Sequence, residues 1–130
     1  MNQEVVPPEI GAPAANYAHA VLVTNPTRWL HTAGVVPTDR EGRVREGVPA
    51  QAEQIWRNIG AILREADMGP EHVVSVTTYV VAAEMADGLG HAMAARDAFL
   101  GGRRAASTLV TVPSLAQPAW LLEIQVVAAA

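Results

Sequence analysis

Between Pro49 and Asp67 the apolar residues Ala52, Ile55, Trp56, Ile59, Ile62, Leu63 and Ala66 recur at three- and four-residue steps. One apolar stripe of that period predicts an amphipathic helix. Pro49 suits its first turn, Gly69-Pro70 stops it, and Glu53 and Arg57 on the polar face are spaced for a surface ion pair. The period then changes. Val73 to Val81 is β-branched almost throughout and is the strongest strand by propensity. From Met85 to Leu100 helical spacing returns through Leu89, Ala92, Met93 and Phe99. Gly88 and Gly90 weaken that helix's start, and Gly101-Gly102 caps its end.

Two apolar runs close the chain, Ala105 to Pro113 and Trp120 to Ala128, around the turn-like Ser114-Leu115-Ala116-Gln117-Pro118-Ala119. They predict a strand pair. In the second run Trp120, Leu122, Ile124 and Val126 share one face, and Leu121, Glu123, Gln125 and Val127 share the other. A carboxylate between a leucine and a valine on a strand is either solvated or buried for a purpose, and alternation alone leaves both open. Near the start, Val5-Val6-Pro7-Pro8 suits a short edge strand. Ala18–Thr24 and Arg28–Ala33, on either side of Asn25-Pro26-Thr27, predict a hairpin, and Thr38-Asp39-Arg40-Glu41-Gly42 a polar turn. The order β-ββ-α-β-α-ββ implies an α+β domain over residues 1–130, a single mixed sheet of about six strands with two helices packed on one face.

Composition narrows the chemistry. The 130 residues hold no cysteine and no lysine, which excludes disulfides, thiolate nucleophiles and Schiff-base catalysis. A net charge of −4 with scattered arginines argues against nucleic acid as a partner. No apolar run approaches the ~20 residues a membrane span needs, so no membrane association is expected. The opening Met1-Asn2-Gln3-Glu4 lacks the basic and apolar regions of a signal peptide, so a cytoplasmic protein is expected. His19, His31, His72 and His91 show neither HxH nor HExxH spacing, so no metal is expected. Without a phosphate-cradling glycine loop, no cofactor is expected either.

Several stretches resemble the Rid (reactive intermediate deaminase, or YjgF-like) family over nearly the whole chain. Tyr17-Ala18-His19-Ala20-Val21 is similar to the family's Tyr-x-Gln-Ala-Val, and Thr32-Ala33-Gly34 stands where members have a serine before the glycine. Gln51, Asn58 and Ile62-Leu63 match its first-helix pattern, Val73–Val80 its next strand, and Leu122-Glu123-Ile124-Gln125-Val126-Val127-Ala128 its closing Val-Glu-Ile-Glu-x-Ile-Ala. The resemblance implies a homotrimeric barrel like the small chorismate mutases, with clefts between subunits, and hydrolysis of enamines and imines such as 2-aminoacrylate. It assigns catalysis to Glu123, as the residue that activates or positions water, and places Tyr17 in the cleft.

The family's substrate-gripping arginine is missing. Members read Pro-Ala-Arg-Ser where this chain has Ala105-Ala106-Ser107-Thr108, so Ser107 takes the arginine's place. A hydroxyl cannot replace a planar bidentate clamp, so the resemblance points to an Arg-lacking subgroup and away from the usual 2-imino acids. The serine position is Ala33, and the family's cleft asparagine aligns near Met93. Ser107, Thr108, Ala33, His31, Arg104 and Met93 are therefore the candidate substrate-binding residues. His19, two residues past Tyr17 on the same strand face, joins the catalytic candidates because imidazole titrates near neutral pH. For His19 and His31 a structural hydrogen bond is the competing role, and for Arg104 a solvated charge. The expected activity is proton transfer or water addition on an imine, enamine or enol(ate) of a small metabolite. The alternative is a non-catalytic trimer that binds a ligand or a protein.

Overall fold

The computed structural model describes residues 2–130. Strands β1 (Asn2–Val5), β2 (Ala20–Val23) and β3 (Trp29–His31) precede helix α1 (Val48–Glu65). β4 (Val73–Val81), α2 (Met85–Leu100), β5 (Ala106–Val112) and β6 (Leu122–Ala129) follow. Four strands pair in the order β3-β6-β4-β5, with β5 parallel to β4 and β6 antiparallel to both β3 and β4. β1 and β2 form an antiparallel ribbon, joined to the larger sheet by a parallel bridge between Ala18 and Ala106.

Three expectations about pairing are corrected. β2 and β3 do not form a hairpin. After the Asn25-Pro26-Thr27 turn the chain bonds to the far C-terminus, with Thr27 and Arg28 N–H both donating to the Ala130 carbonyl, and β3 continues that ladder along β6. The two closing strands are not a pair either, because β4 lies between them. The first strand runs Asn2–Val5 rather than into Pro7 and Pro8, neither of which could donate to a ladder.

Both helices cover one face of the sheet. Ile55, Ile59 and Leu63 of α1, all fully buried, meet Val76, Val80, Leu122, Ile124 and Val126 in one apolar core. The predicted alternation of β6 holds: Leu122, Ile124 and Val126 are buried, while Glu123 and Val127 are half-buried and Gln125 is exposed. Gly88 permits the close approach of α2 to α1, since a methyl group there would stand 2.8 Å from a Val48 methyl. Trp56 of α1 is buried and stacks on Phe99 of α2 at 4.8 Å between ring centres.

Two polar residues of α1 fix the loops around the sheet's end. Gln51 Nε2 donates to the Arg45 and Ala119 carbonyls at 2.9 Å each, and Gln51 Oε1 accepts from Leu121 N–H at 2.9 Å. Asn58 Nδ2 donates to the carbonyls of Val36 and Thr38. The buried amide of Gln51 and the half-buried one of Asn58, satisfied in this way, cost little and specify geometry. They hold the segments that enter β6 and leave residue 34.

Candidate functional site

The face of the sheet away from the helices is open. Across β5, β4 and β6 its rows are Thr108–Thr77–Gln125 and Val110–Tyr79–Glu123, and His31 of β3 lies opposite Val127. Directly paired residues point to the same side, so Glu123, Thr108 and His31 belong to this face. Ser107 does not. It pairs with Val76, whose side chain is buried against the helices, so adjacent candidates Ser107 and Thr108 diverge.

Glu123 sits beside a bulge in the chain that follows β3. Thr32 N–H donates to the Val126 carbonyl at 3.0 Å, and Val35 N–H donates to that of Ile124 at 2.7 Å. Between these two links Ala33 and Gly34 oppose the single residue Gln125, which bends the strand. Thr32 Oγ1 pins the bend by accepting from Val126 N–H at 3.0 Å and donating to the Ala33 carbonyl at 2.7 Å. The Glu123 side chain lies over the bulge, so close that a methyl group on Gly34 would stand 2.7 Å from its carboxyl carbon. No cation pairs with Glu123 among the described residues, and its carboxylate is half-buried. It is available as an acid, a base or a hydrogen-bond acceptor.

A second cluster forms on the helix side of β5. Tyr17, Met93 and Ser107 line a pocket of about 270 Å³ with Ala15, Leu89, Leu109 and Arg96. Three sequence candidates thus meet here, while Glu123, Ala33, Thr108 and His31 belong to the other side. Arg96 escaped the sequence reading. Its side chain is 3% exposed, and Nη1 donates to Ser107 Oγ at 3.2 Å. The signal was present: with Leu89, Met93 and Leu100 it falls at positions i−7, i−3 and i+4, an arginine on an otherwise apolar stripe.

The remaining candidates serve the loop that carries Tyr17. Arg104 Nε and Nη2 donate to the Tyr17 carbonyl at 3.1 and 2.6 Å, and Nη2 lies 3.3 Å from Glu4. His19 Nε2 is 2.7 Å from the Gly11 carbonyl and its ring meets Tyr17 edge-on at 6.1 Å. That contact lies within the chain and occupies one of the two ring nitrogens. His31 is exposed and lies beside Trp29. Among the described residues no group of three or more His, Asp or Glu side chains is arranged to hold a metal ion, and no helix is long and apolar enough to cross a membrane.

The family model described as endoribonuclease L-PSP matches residues 9–130. A RutC family protein of Aquifex aeolicus is 34% identical over 79 residues, a match spanning 60% of this chain and 61% of that protein. The solved structure of YyfB from Yersinia pestis, a protein of unknown function in the conserved Rid family, is 29% identical with a TM-score of 0.86, covering 99% of this chain and 98% of the other. RidA from an Antarctic Psychrobacter is 26% identical with a TM-score of 0.71, over 98% of this chain and 99% of the other.

Proposed function

This chain belongs to the endoribonuclease L-PSP family, to which the Rid or YjgF-like proteins belong, and we propose that it is a small-molecule enzyme of the Rid type. The reaction is proton transfer or water addition at an imine, enamine or enol(ate), and Glu123 is the acid–base group. The observation that carries this reading is the half-buried Glu123 carboxylate, without a cationic partner, held over the Gly34 bulge. A structural carboxylate at such a place ordinarily has a cation or several N–H donors. A strand bulge is also a recurrent way of shaping an active site.

The working unit is a homotrimer. The open face of each protomer carries Trp29, 52% exposed, and Val110, 39% exposed, and an apolar sheet face of this kind is covered by association. In the trimer the Glu123 half-site of one subunit faces the Tyr17–Ser107 half-site of its neighbour. Tyr17 orients a carbonyl oxygen or imine nitrogen, and Glu123 moves the proton or directs the water. With Ser107 in place of the strand arginine, the substrate is a pathway-specific metabolite rather than 2-aminoacrylate.

Deuterium exchange next to the carbonyl or imine carbon of small cyclic ketones and imines, followed by NMR, tests the reading. The native protein accelerates exchange of at least one such compound over buffer. Glu123→Gln keeps the trimer and removes the acceleration. Wild-type exchange in that variant would make Glu123 a structural acceptor. Loss of the trimer would make it an interface residue and favour the alternative, a non-catalytic binding module.

A further inference from the structure

Arg96 is a buried cation with no part in the Glu123 chemistry. A guanidinium carries five N–H donors in one plane, and gripping a carboxylate requires two of them parallel and free. In Arg96, Nε and Nη2 lie 3.1 and 3.0 Å from Asp97 Oδ1, and Nη2 also donates to the Asn16 carbonyl at 3.1 Å. Nη1 donates to Ser107 Oγ at 3.2 Å. These contacts leave one Nη1 proton and no parallel pair.

The same contact fixes what Ser107 can offer. A hydroxyl has one proton and two lone pairs, and a cationic donor occupies one lone pair here. The Ser107 proton has no acceptor among the described residues, and Ser107 lines the pocket with Tyr17, Met93 and Leu109. A hydroxyl that accepts from a cation becomes a stronger donor through polarisation. We propose that Ser107, oriented by Arg96, binds a single carbonyl or enolate oxygen of a small and otherwise apolar ligand, and that Arg96 sets specificity against carboxylates. The ligand oxygen accepts from Ser107 Oγ–H, and charge developing on it is stabilised by a fixed, buried cation that needs no reorganisation. A carboxylate would bring a second charged oxygen against Leu89, Met93 and Leu109, and the one remaining Nη1 proton of Arg96 offers no parallel pair of donors to grip it. Arg96 is thus a positioning residue. The proposal rests on this pocket being half of the ligand site described above.

The test uses the full chain in its native assembly and two probes of similar size, cyclohexanone and cyclohexanecarboxylate. Met93 and Leu109 methyl shifts report occupancy, and the infrared carbonyl stretch of bound cyclohexanone reports the hydrogen bond. Cyclohexanone is expected to bind more tightly than the carboxylate, with its stretch moved to lower frequency. Ser107→Ala weakens binding by about tenfold and removes the frequency shift, whereas Ser107→Thr retains both. Arg96→Met, checked for fold by circular dichroism, reduces the frequency shift. If Arg96→Met fails to fold, the Ser107 pair decides. Equal or tighter binding of the carboxylate, a shift unaffected by Ser107→Ala, or binding of neither probe would each overturn the proposal. Glu123 is unchanged in all these variants and no turnover is read, so failure of the acid–base reading would appear only in the exchange experiment.

Discussion

The carboxylate of Glu123 occupies the space that a side chain on Gly34 would need, 2.7 Å from its carboxyl carbon and 3.0 Å from its Cγ. Two distant stretches are thus matched: the glycine is required by a close approach and not by its backbone angle, since Gly34 is absent from the positive-φ residues. Gly34→Ala is expected to displace the carboxylate by a rotamer change while preserving the core, since the bulge lies on the open face. Catalysed exchange should fall by about 10²-fold, the usual cost of misplacing a catalytic group by roughly 1 Å. Denaturant midpoints of the variant and the parent should nearly coincide. Full activity in Gly34→Ala would mean that this placement of Glu123 is not the working one.

The exposed Val110 and the half-buried Glu123 flank Tyr79 in one row of the open face. Light scattering at micromolar concentration should give three times the protomer mass for the native chain. Val110→Asp places a charge on the open face that the proposed trimer would bury and should shift the population toward monomer. A native chain that stays monomeric would remove the inter-subunit site along with the trimer.

The helices and β4 were legible because their signals are local: a 3.6-residue apolar period, and a run of strand formers from Val73 to Val81 interrupted only by Ser75. Pairing partners were not. Ser114–Ala119 marks a reversal of the chain, but a turn does not say which strand lies alongside. A helix between β4 and β5 allows those two to pair in parallel, leaving the other edge of β4 to β6. The site was half legible for the same reason. The family resemblance points along the chain to Glu123, Tyr17, Ser107 and Met93, whereas the Arg96–Ser107 contact depends on how α2 packs over β5.

Hydrolysis of 2-aminoacrylate should be absent or very weak. Loss of a desolvated, charge-assisted clamp costs about 2–5 kcal/mol, roughly 30-fold to several thousand-fold in rate at low substrate. Arg96 does not restore it, because its paired donors are committed to Asp97 and Asn16. Ammonia release measured beside an arginine-containing Rid protein checks the expectation. A comparable rate would show that a guanidinium has moved into the cleft, and Arg104→Ala would then test whether it is Arg104.

Asp39 provides the clearest pH dependence. Its carboxylate accepts from the N–H groups of Glu41 and Arg43 at 2.9 Å each. The Arg43 N–H is the largest cause of a pKa held below the ordinary aspartate value. A depressed folded-state pKa contributes stability above the unfolded-state value, which is lost as pH falls through the folded one. NMR titration should place the Asp39 midpoint below that of a free aspartate, and the turn closed by the Thr38–Val44 bridge should loosen in acid ahead of the core. A midpoint at or above the free value would contradict the two backbone hydrogen bonds.

Trp56 carries a buried indole N–H, and that Nε1 has no hydrogen-bond partner among the described residues. Removing the whole side chain by Trp56→Ala leaves a large cavity between α1 and α2, and about 3–5 kcal/mol is expected to be lost. Trp56→Phe behaves differently. It keeps an aromatic ring to stack on Phe99 and deletes a donor whose unpaired burial costs about 1–3 kcal/mol. The smaller ring loses some packing, so the two effects nearly cancel and the net change should lie within about 1 kcal/mol. Denaturant unfolding at one fixed protomer concentration makes the comparison valid, because the apparent stability of an oligomer depends on concentration. If Trp56→Phe were as damaging as Trp56→Ala, the indole nitrogen would have to be making a bond in solution, and the surface groove formed with Arg57, Arg64 and His91 would be the place to look for its partner.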